Sequence, residues 1–192
     1  MGKCQRCKIF IKDETDKMGN MVKQLLDLSA LERGMEELDF SRINLLEMVD
    51  GVSNSYEIKI RENNIDLVNK VSSDIHVWAD GYKFEEVIRN YLSNAINHVD
   101  DNKKIIIDAI KLDDNTIRFS IFNTGVILPE EEMTKIWDKF YKVDKAHTRQ
   151  YGGTGLGLSI VKAIATQHNT NCGCIAAIKD NMQGMEFYFD LN

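Results

Sequence analysis

Asn90, Asn94 and Asn97 stand four and three residues apart in the stretch "RNYLSNAINHV". In a helix that spacing puts all three on one face. Asparagine is a poor helix former, because its side chain competes for backbone hydrogen bonds. Three of them on one ridge are costly unless the ridge has a task. Amide oxygens are hard, neutral ligands, suited to a magnesium ion that keeps phosphates and waters in its other positions. A solvated polar face is the plainer alternative, and this stretch alone leaves both open.

Two further stretches carry chemistry. In "IFNTGVILPEE", Asn123 follows an apolar run and precedes Gly125. It can aim an acceptor into a pocket, or it can serve an ordinary Asn-Thr-Gly turn. In "GGTGLGLSIVKAI", Gly153, Gly155 and Gly157 alternate with Thr154 and Leu156 directly ahead of an apolar, helix-like run. Glycine lets a backbone approach a ligand closely, and a helix N-terminus offers free N–H groups to phosphate. The pattern is neither the Walker sequence, which ends Gly-Lys-Ser/Thr, nor the dinucleotide GxGxxG. A flexible hinge at a helix start is the alternative.

These residues need elements to hold them. Met18, Met21, Val22, Leu25, Leu28 and Leu31 recur at helical steps and predict an amphipathic helix that stops near Gly34. Such a stripe calls for a partner helix or a domain to pack on. After Gly34 the pattern predicts a short strand in "MEELDFSRI" and a helix in "NLLEMVDGVSNSYEIKIREN". Strands follow in "IDLVNKV" and "IHVWAD", with a turn at Ser72-Ser73-Asp74. The asparagine helix has Val87, Ile88, Leu92 and Ile96 on its other side as a core stripe. "KKIIIDAIKLDDN" and "TIRFSIFNTG" read as strands joined at Asp113-Asp114-Asn115. "PEEEMTKIWDKFY" reads as a helix with Pro129 in its first turn and acidic residues beside it. Residues 142–151 read as a polar loop, and "CGCIAAIKDNMQGMEFYFDL" reads as a closing pair of strands. Interleaved helices and strands predict an α+β two-layer sandwich.

The composition fits a globular chain. Of 192 residues, 43% are hydrophobic and 28% charged. A net charge of −6 argues against general affinity for nucleic acid or anionic membranes. No apolar run reaches the roughly 18 residues of a membrane span. The start "MGKCQRCKIF" is too short and polar for a secretory signal, so a soluble, cytoplasmic chain is expected. Cys4 and Cys7 form one pair and Cys172 and Cys174 another, at opposite ends of the sequence. Zinc sites use closer spacing, which leaves reduced thiols as the simpler reading.

In combination these motifs identify a family. The asparagine helix, the Asn-Thr-Gly turn, "IWDKFYKVD", a basic loop and "GGTGLGLSIVK" occur in the order found in bacterial sensor histidine kinases. The chain resembles the catalytic ATP-binding domain of such a kinase, in the GHKL ATPase superfamily, from the branch with vancomycin-resistance-type sensors. The resemblance implies a two-layer sandwich with a mixed sheet over residues 35–192. It further implies that residues 1–34 are a remnant second helix of the dimerisation and phosphoacceptor domain.

The resemblance also implies roles. Asn94 is similar to the family's magnesium-ligating asparagine, and Asn90 is a second candidate ligand. Asn90 stands where gyrase- and Hsp90-type ATPases carry a glutamate that activates water. An amide there fits an enzyme that hands phosphate to a side chain and not to water. Asn97 stands where the family has a lysine near the phosphates, and His98 where an aromatic ring lies by the adenine. Asn123 takes the place of an aspartate that accepts from the adenine amino group, with Gly125 beside it, and Ile127 replaces a further glycine. A charged acceptor is stronger than an amide by roughly 1 kcal/mol, so Asn123→Asp is expected to tighten ATP several-fold. Phe140 and Tyr141 match the aromatic pair before the lid. Lys142, Lys145 and Arg149 are candidate phosphate contacts, and Gly153, Thr154, Gly155, Leu156 and Gly157 form the second glycine box.

One motif is absent. The family phosphorylates its own histidine within a His-Glu motif, and none of His76, His98, His147 and His168 stands in one. The expectation is a piece of a longer, membrane-anchored, homodimeric parent that binds ATP and Mg²⁺. In that parent a separate phosphoacceptor helix would be phosphorylated, and a cognate response regulator would then take the phosphoryl group. The alternatives are an ATP-hydrolysing clamp of the gyrase type, with Glu86 as its carboxylate, and a non-catalytic interaction module.

Overall fold

In the computed structural model, residues 2–34, 37–143 and 154–191 are described, with backbone alone at 2–14, 16 and 17. The chain divides into two units, Met1–Glu36 and Glu37–Asn192. The first unit is one long helix, α1 (Gly2–Glu32). It ends at Gly34, whose φ of 60° only glycine adopts freely, and whose N–H donates to the Leu31 carbonyl at 3.0 Å. Met18, Met21, Val22 and Leu25 of its apolar stripe are exposed.

The second unit runs β1 (Phe40–Asn44), α2 (Leu45–Ser55), α3 (Glu57–Glu62), β2 (Asp66–Asn69), β3 (His76–Asp80) and α4 (Gly81–His98). It continues with β4 (Lys104–Lys111), β5 (Ile117–Thr124), α5 (Glu130–Lys135), α6 (Gly157–Gln167), β6 (Cys172–Lys179) and β7 (Met182–Leu191). The main sheet has the order β2-β4-β5-β7-β6, and β1 pairs with β3 in a separate ribbon. Among the described residues only β2 and β4 run parallel; the other pairs are antiparallel. The result is the expected α+β arrangement with a mixed sheet.

Turn chemistry fixes the hairpins. Asp180 and Asn181 both hold positive φ, at 51° and 62°, which is the backbone that a tight hairpin between twisted strands requires. The β4–β5 turn is held by Asp113, whose carboxylate accepts the Asn115 N–H at 2.8 Å. The two strands flanking Ser72-Ser73-Asp74 do not pair with each other. That turn forms, with the Ile75 N–H on the Ser72 carbonyl at 3.2 Å, but β2 joins the main sheet and β3 the ribbon.

Helix α4 lies against the sheet through Phe84, Val87, Ile88, Tyr91, Leu92, Ala95 and Ile96, all buried. Phe84 meets Phe119 of β5 edge-on at 5.4 Å. Tyr91 is fully buried, so its hydroxyl needs a partner, and it donates to the Tyr188 carbonyl at 2.8 Å. Asp80 caps α4, accepting the Lys83 N–H at 3.1 Å. Helix α6 packs beside α4 with Ile160, Val161, Ile164 and Ala165 buried.

Three expected boundaries move. The strand predicted in "MEELDFSRI" begins only at Phe40, and Asn44 leaves it to cap α2 by accepting the Glu47 N–H at 3.2 Å. The helix predicted to follow breaks at Tyr56 into α2 and α3. The helix predicted through Tyr141 ends at Lys135, with Pro129 at its cap. Continuation is impossible at Phe140, which has a φ of 63° and gives its N–H to the Gly155 carbonyl.

Candidate nucleotide site

The amide ridge and the glycine corner meet. Asn90, Asn94 and Asn97 lie along α4 on the side away from its buried stripe, and all three are half-buried. The start of α6 faces this ridge. A β-carbon on Gly157 would stand 2.7 Å from Asn90 Oδ1, so a larger residue there must displace the Asn90 side chain. The Asn90 Nδ2 donates to the Glu86 carbonyl at 2.9 Å, which turns the amide oxygen toward Gly157. Among the described residues no hydrogen bond occupies the Asn94 or Asn97 amide.

The glycine box lacks a side-chain cap. Leu156 is fully buried at the N-cap position, and no side chain caps α6. Among the described residues the Leu156 N–H reaches only the Thr154 hydroxyl, at 3.4 Å. Gly155 has a φ of 74°, and a β-carbon on it would meet the Phe140 backbone at 2.9 Å. The first-turn N–H groups of α6 are thus available to an anion.

Asn123 ends its strand deep in the domain, 3% exposed. Its Nδ2 donates to the Thr124 carbonyl at 3.1 Å. Its Oδ1 is buried and has no hydrogen-bond partner among the described residues. An orphaned buried acceptor is costly, and a ligand amino group or a water would satisfy it. The neighbouring Gly125 is buried, with its N–H on the Gln183 carbonyl at 3.4 Å. A β-carbon there would meet the His98 carbonyl at 3.0 Å, so Gly125 ties the end of α4 to the end of β5. The His98 side chain is exposed.

Tyr141 and Lys142 follow α5 and are half-buried. The Tyr141 hydroxyl donates to Glu132 Oε2 at 2.5 Å. That bond, with the negative charge of Glu132, pushes the phenol up to about 12. Lys145, Arg149 and Gly153 lie outside the described residues. Cys172 and Cys174 are half-buried on β6, and burial pushes both thiols up to about 11, far from thiolate chemistry at neutral pH. Among the described residues no group of three or more His, Cys, Asp or Glu could hold a metal ion.

Sequence reasoning missed two contributors. Glu132 holds Tyr141, and nothing in a run of three glutamates singles it out. Gly184 in β7 was legible in principle, since glycine inside a strand marks a close approach. A β-carbon there would stand 2.0 Å from the Asn123 carbonyl oxygen.

Comparison with known proteins agrees with this arrangement. The family "Histidine kinase-, DNA gyrase B-, and HSP90-like ATPase" matches residues 79–192. Hybrid signal transduction histidine kinase D of Dictyostelium discoideum is 36% identical over 153 residues, covering 77% of this chain and 10% of that protein. Sensor protein kinase WalK of Staphylococcus aureus is 30% identical over 184 residues, 94% of this chain and 43% of its own length. The chain thus spans less than half the length of either relative. Among solved structures, the catalytic domain of histidine kinase ThkA superposes with a TM-score of 0.68 at 31% identity, covering 80% of this chain and 95% of that one. ThkA in complex with response regulator protein TrrA superposes at 0.75 and 27% identity, covering 99% and 51%. With the family matched across α4, β5, the glycine box and the closing hairpin, the chain belongs to the histidine kinase-, DNA gyrase B- and HSP90-like ATPases, as the ATP-binding domain of a sensor histidine kinase.

Proposed function

We propose that this domain binds ATP with magnesium and presents the γ-phosphoryl group to a histidine imidazole on an acceptor helix. The observation that carries the reading is the meeting of the α4 amide ridge with the bare start of α6 at Asn90 and Gly157. It puts neutral oxygen donors beside unsatisfied backbone N–H groups, the two things a metal–triphosphate needs. The orphaned Asn123 Oδ1 supplies an acceptor for the exocyclic amine of adenine. The Asn94 amide oxygen would hold the magnesium, which when bound neutralises phosphate charge. Asn97, His98, Tyr141, Lys142, Lys145 and Arg149 remain candidate contacts to the nucleotide, as do the glycine-box residues Gly153, Thr154, Gly155, Leu156 and Gly157.

The chemistry asks little of the protein beyond position and charge. The imidazole nitrogen attacks phosphorus, the bond to the bridging oxygen breaks, and ADP leaves. An amide at position 90 provides no base for water, which favours transfer over hydrolysis. The phosphoryl group then passes to an aspartate of a response regulator; the superposition on ThkA in complex with TrrA supports that partner. Dimerisation through α1 and membrane anchoring of the parent belong to the same proposal. Placement beside the vancomycin-resistance-type sensors rests on motif order alone, and the WalK relatives offer a second branch. The test is a trans assay with the folded chain, labelled ATP, Mg²⁺ and a separate acceptor-helix fragment. Acid-labile, base-stable phosphate on the acceptor histidine is the expected result. Its absence, with folding verified, overturns the reading.

A further inference from the structure

We infer that Cys172 and Cys174 form a two-thiolate site for a soft monovalent metal ion, copper(I), on strand β6. The inference stands apart from nucleotide binding. The two cysteines lie two apart on one strand, opposite Phe189 and Phe187 of β7, so both side chains leave the sheet on its core-facing side. Gly173 between them faces the other way, under the Tyr188 ring. Both thiols are free and half-buried, and among the described residues they join no larger group of His, Cys, Asp or Glu that could hold a metal.

Distance decides what the pair can do. Same-face neighbours on a strand have α-carbons roughly 6.4–6.8 Å apart, and their β-carbons are similarly separated. A disulfide needs β-carbons about 3.5–4.5 Å apart, so it cannot close without bending β6. An ion with bonds near the roughly 2.3 Å of zinc to sulfur spans about 4.6 Å between two sulfurs, which staggered rotamers leaning toward each other bring within reach. Two ligands are too few for a structural zinc ion, which takes four. Copper(I) is soft, favours thiolate sulfur and is satisfied by two ligands in a line.

The surroundings suit the charge of such a centre. Two thiolates and one copper(I) leave a net negative charge. The Trp137 indole N–H donates to the Cys174 sulfur, and the Lys162 ammonium of α6 lies near enough to Cys172 to favour its thiolate. An N–H donor and a cation are outer contacts that hold and tune a metal-bound sulfur. The free thiols are protonated at neutral pH, since burial pushes both up to about 11. Binding therefore forms two copper–sulfur bonds, breaks two S–H bonds and releases two protons to solvent, with no change of oxidation state. The Cys174 S–H otherwise donates to the Met133 carbonyl of α5 at 3.8 Å, and loss of its proton ends that contact.

The test is an anaerobic copper(I) titration against a chromophoric chelator, in a Cys4→Ser/Cys7→Ser chain that lacks the other two cysteines. One copper per chain is the expected result, lost when Cys172→Ser or Cys174→Ser is added. A Cys4→Ser/Cys7→Ser chain that yields all its copper to the chelator overturns the proposal. Full copper binding after either further substitution overturns it too. Because two protons leave, the apparent association constant should rise about a hundred-fold per pH unit between about pH 6 and 8. A rise of only about ten-fold per unit would mean a single thiol, and the pair would fall. Should a serine variant fail to fold, tryptophan emission decides with both cysteines in place. Trp78→Phe in the same background leaves Trp137 as the sole tryptophan. Copper should quench its emission in proportion up to one equivalent. Emission that copper leaves unchanged puts the ion elsewhere and overturns the site.

Discussion

The Phe140 N–H donates to the Gly155 carbonyl at 2.8 Å, and both residues hold left-handed backbone, at φ 63° and 74°. This backbone clasp ties the chain that follows α5 to the chain that enters α6. A β-carbon at Gly155 would stand 2.9 Å from the Phe140 Cα, 3.0 Å from its carbonyl carbon and 3.2 Å from the Tyr141 oxygen. These are backbone atoms, which cannot swing aside as a side chain can.

Gly155→Ala should accordingly destabilise the domain by about 2 kcal/mol or more, combining left-handed strain with overpacking. Phe140→Gly should do little. It relieves about 1–2 kcal/mol of left-handed strain, offset by the greater entropy of an unfolded glycine. Thermal melts of the two variants check the asymmetry, and a Gly155→Ala protein that melts with the parent would refute the clasp.

At Asn123 the structure changes an expectation. The sequence suggests that Asn123→Asp tightens ATP several-fold. The side chain, however, is 3% exposed and faces the Thr124 carbonyl, to which the amide nitrogen donates. A carboxylate would set oxygen against oxygen there, and burial disfavours its charge. The protonated acid reproduces the amide's pattern, donating to Thr124 and keeping one oxygen for the ligand. ATP affinity in Asn123→Asp should therefore stay within a few-fold of the parent. A raised carboxyl pKa means the folded state holds the proton longer than the unfolded state, so stability is fully present below about pH 4 and falls as pH rises through the folded value. Melting temperatures of variant and parent from pH 4 to 8 test this. A gap that fails to widen with pH would show the charged form to be tolerated.

The hydrophobic patterns made most of the architecture legible. The stripe Val87, Ile88, Leu92 and Ile96 identified the buried side of α4, and Asp113-Asp114-Asn115 identified the β4–β5 turn. The pairing of β2 with β4 was not legible, because a parallel partner comes from a distant segment and short range carries no trace of it. The end of α5 was hidden for a similar reason. "KIWDKFY" has helical residues, yet the helix stops at Lys135, and farther on Phe140 is held out of helical backbone by its bond to Gly155. In the site, residue types announced the amide ridge and the glycine corner, but not which amides are committed. That depends on the Asn90 side chain turning its Nδ2 to the Glu86 carbonyl, which residue type and spacing do not reveal.

Gly184 offers a test of the sheet beneath the base pocket. It sits opposite Thr124 in the β5–β7 ladder. A β-carbon there would fall 2.0 Å from the Asn123 carbonyl oxygen and 2.9 Å from the Phe122 ring. No rotamer relieves a clash with a backbone oxygen, so β7 must shift. Gly184→Ala should cost roughly 2–3 kcal/mol and weaken ATP binding beyond what the lost stability explains, since Asn123 moves with its strand. Denaturant unfolding and nucleotide titration of the folded fraction measure the two effects. Unchanged stability would contradict the described register.

His168 gives the domain a pH dependence of defined sign. Its Nδ1 lies 3.0 Å from the Ile164 carbonyl and must carry the proton, leaving Nε2 to accept the Asp80 N–H at 3.3 Å. The ring packs edge-on to Phe40 at 5.2 Å and Phe189 at 6.1 Å. Burial lowers its pKa, opposed by the Ile164 bond and the Asp80 carboxylate and assisted by Lys83. Protonation would turn Nε2 into a donor facing another donor, at the residue that caps α4. The unfolded histidine titrates near 6.5, so between that value and the lower folded one the unfolded chain binds more protons. Stability from this group is therefore complete above about pH 6.5 and is lost as pH falls through that window. His168→Leu keeps apolar bulk against Phe40 and Phe189, loses the ring–ring geometry and cannot titrate. It also orphans the Asp80 N–H, so the variant should melt below the parent at pH 7.5, yet lose less on moving to pH 5. Parallel slopes for the two proteins would show that His168 is not the titrating group. Because Asp80 starts the helix that carries Asn90 and Asn94, ATP affinity of the parent should weaken over the same window, and that of the variant should stay flatter.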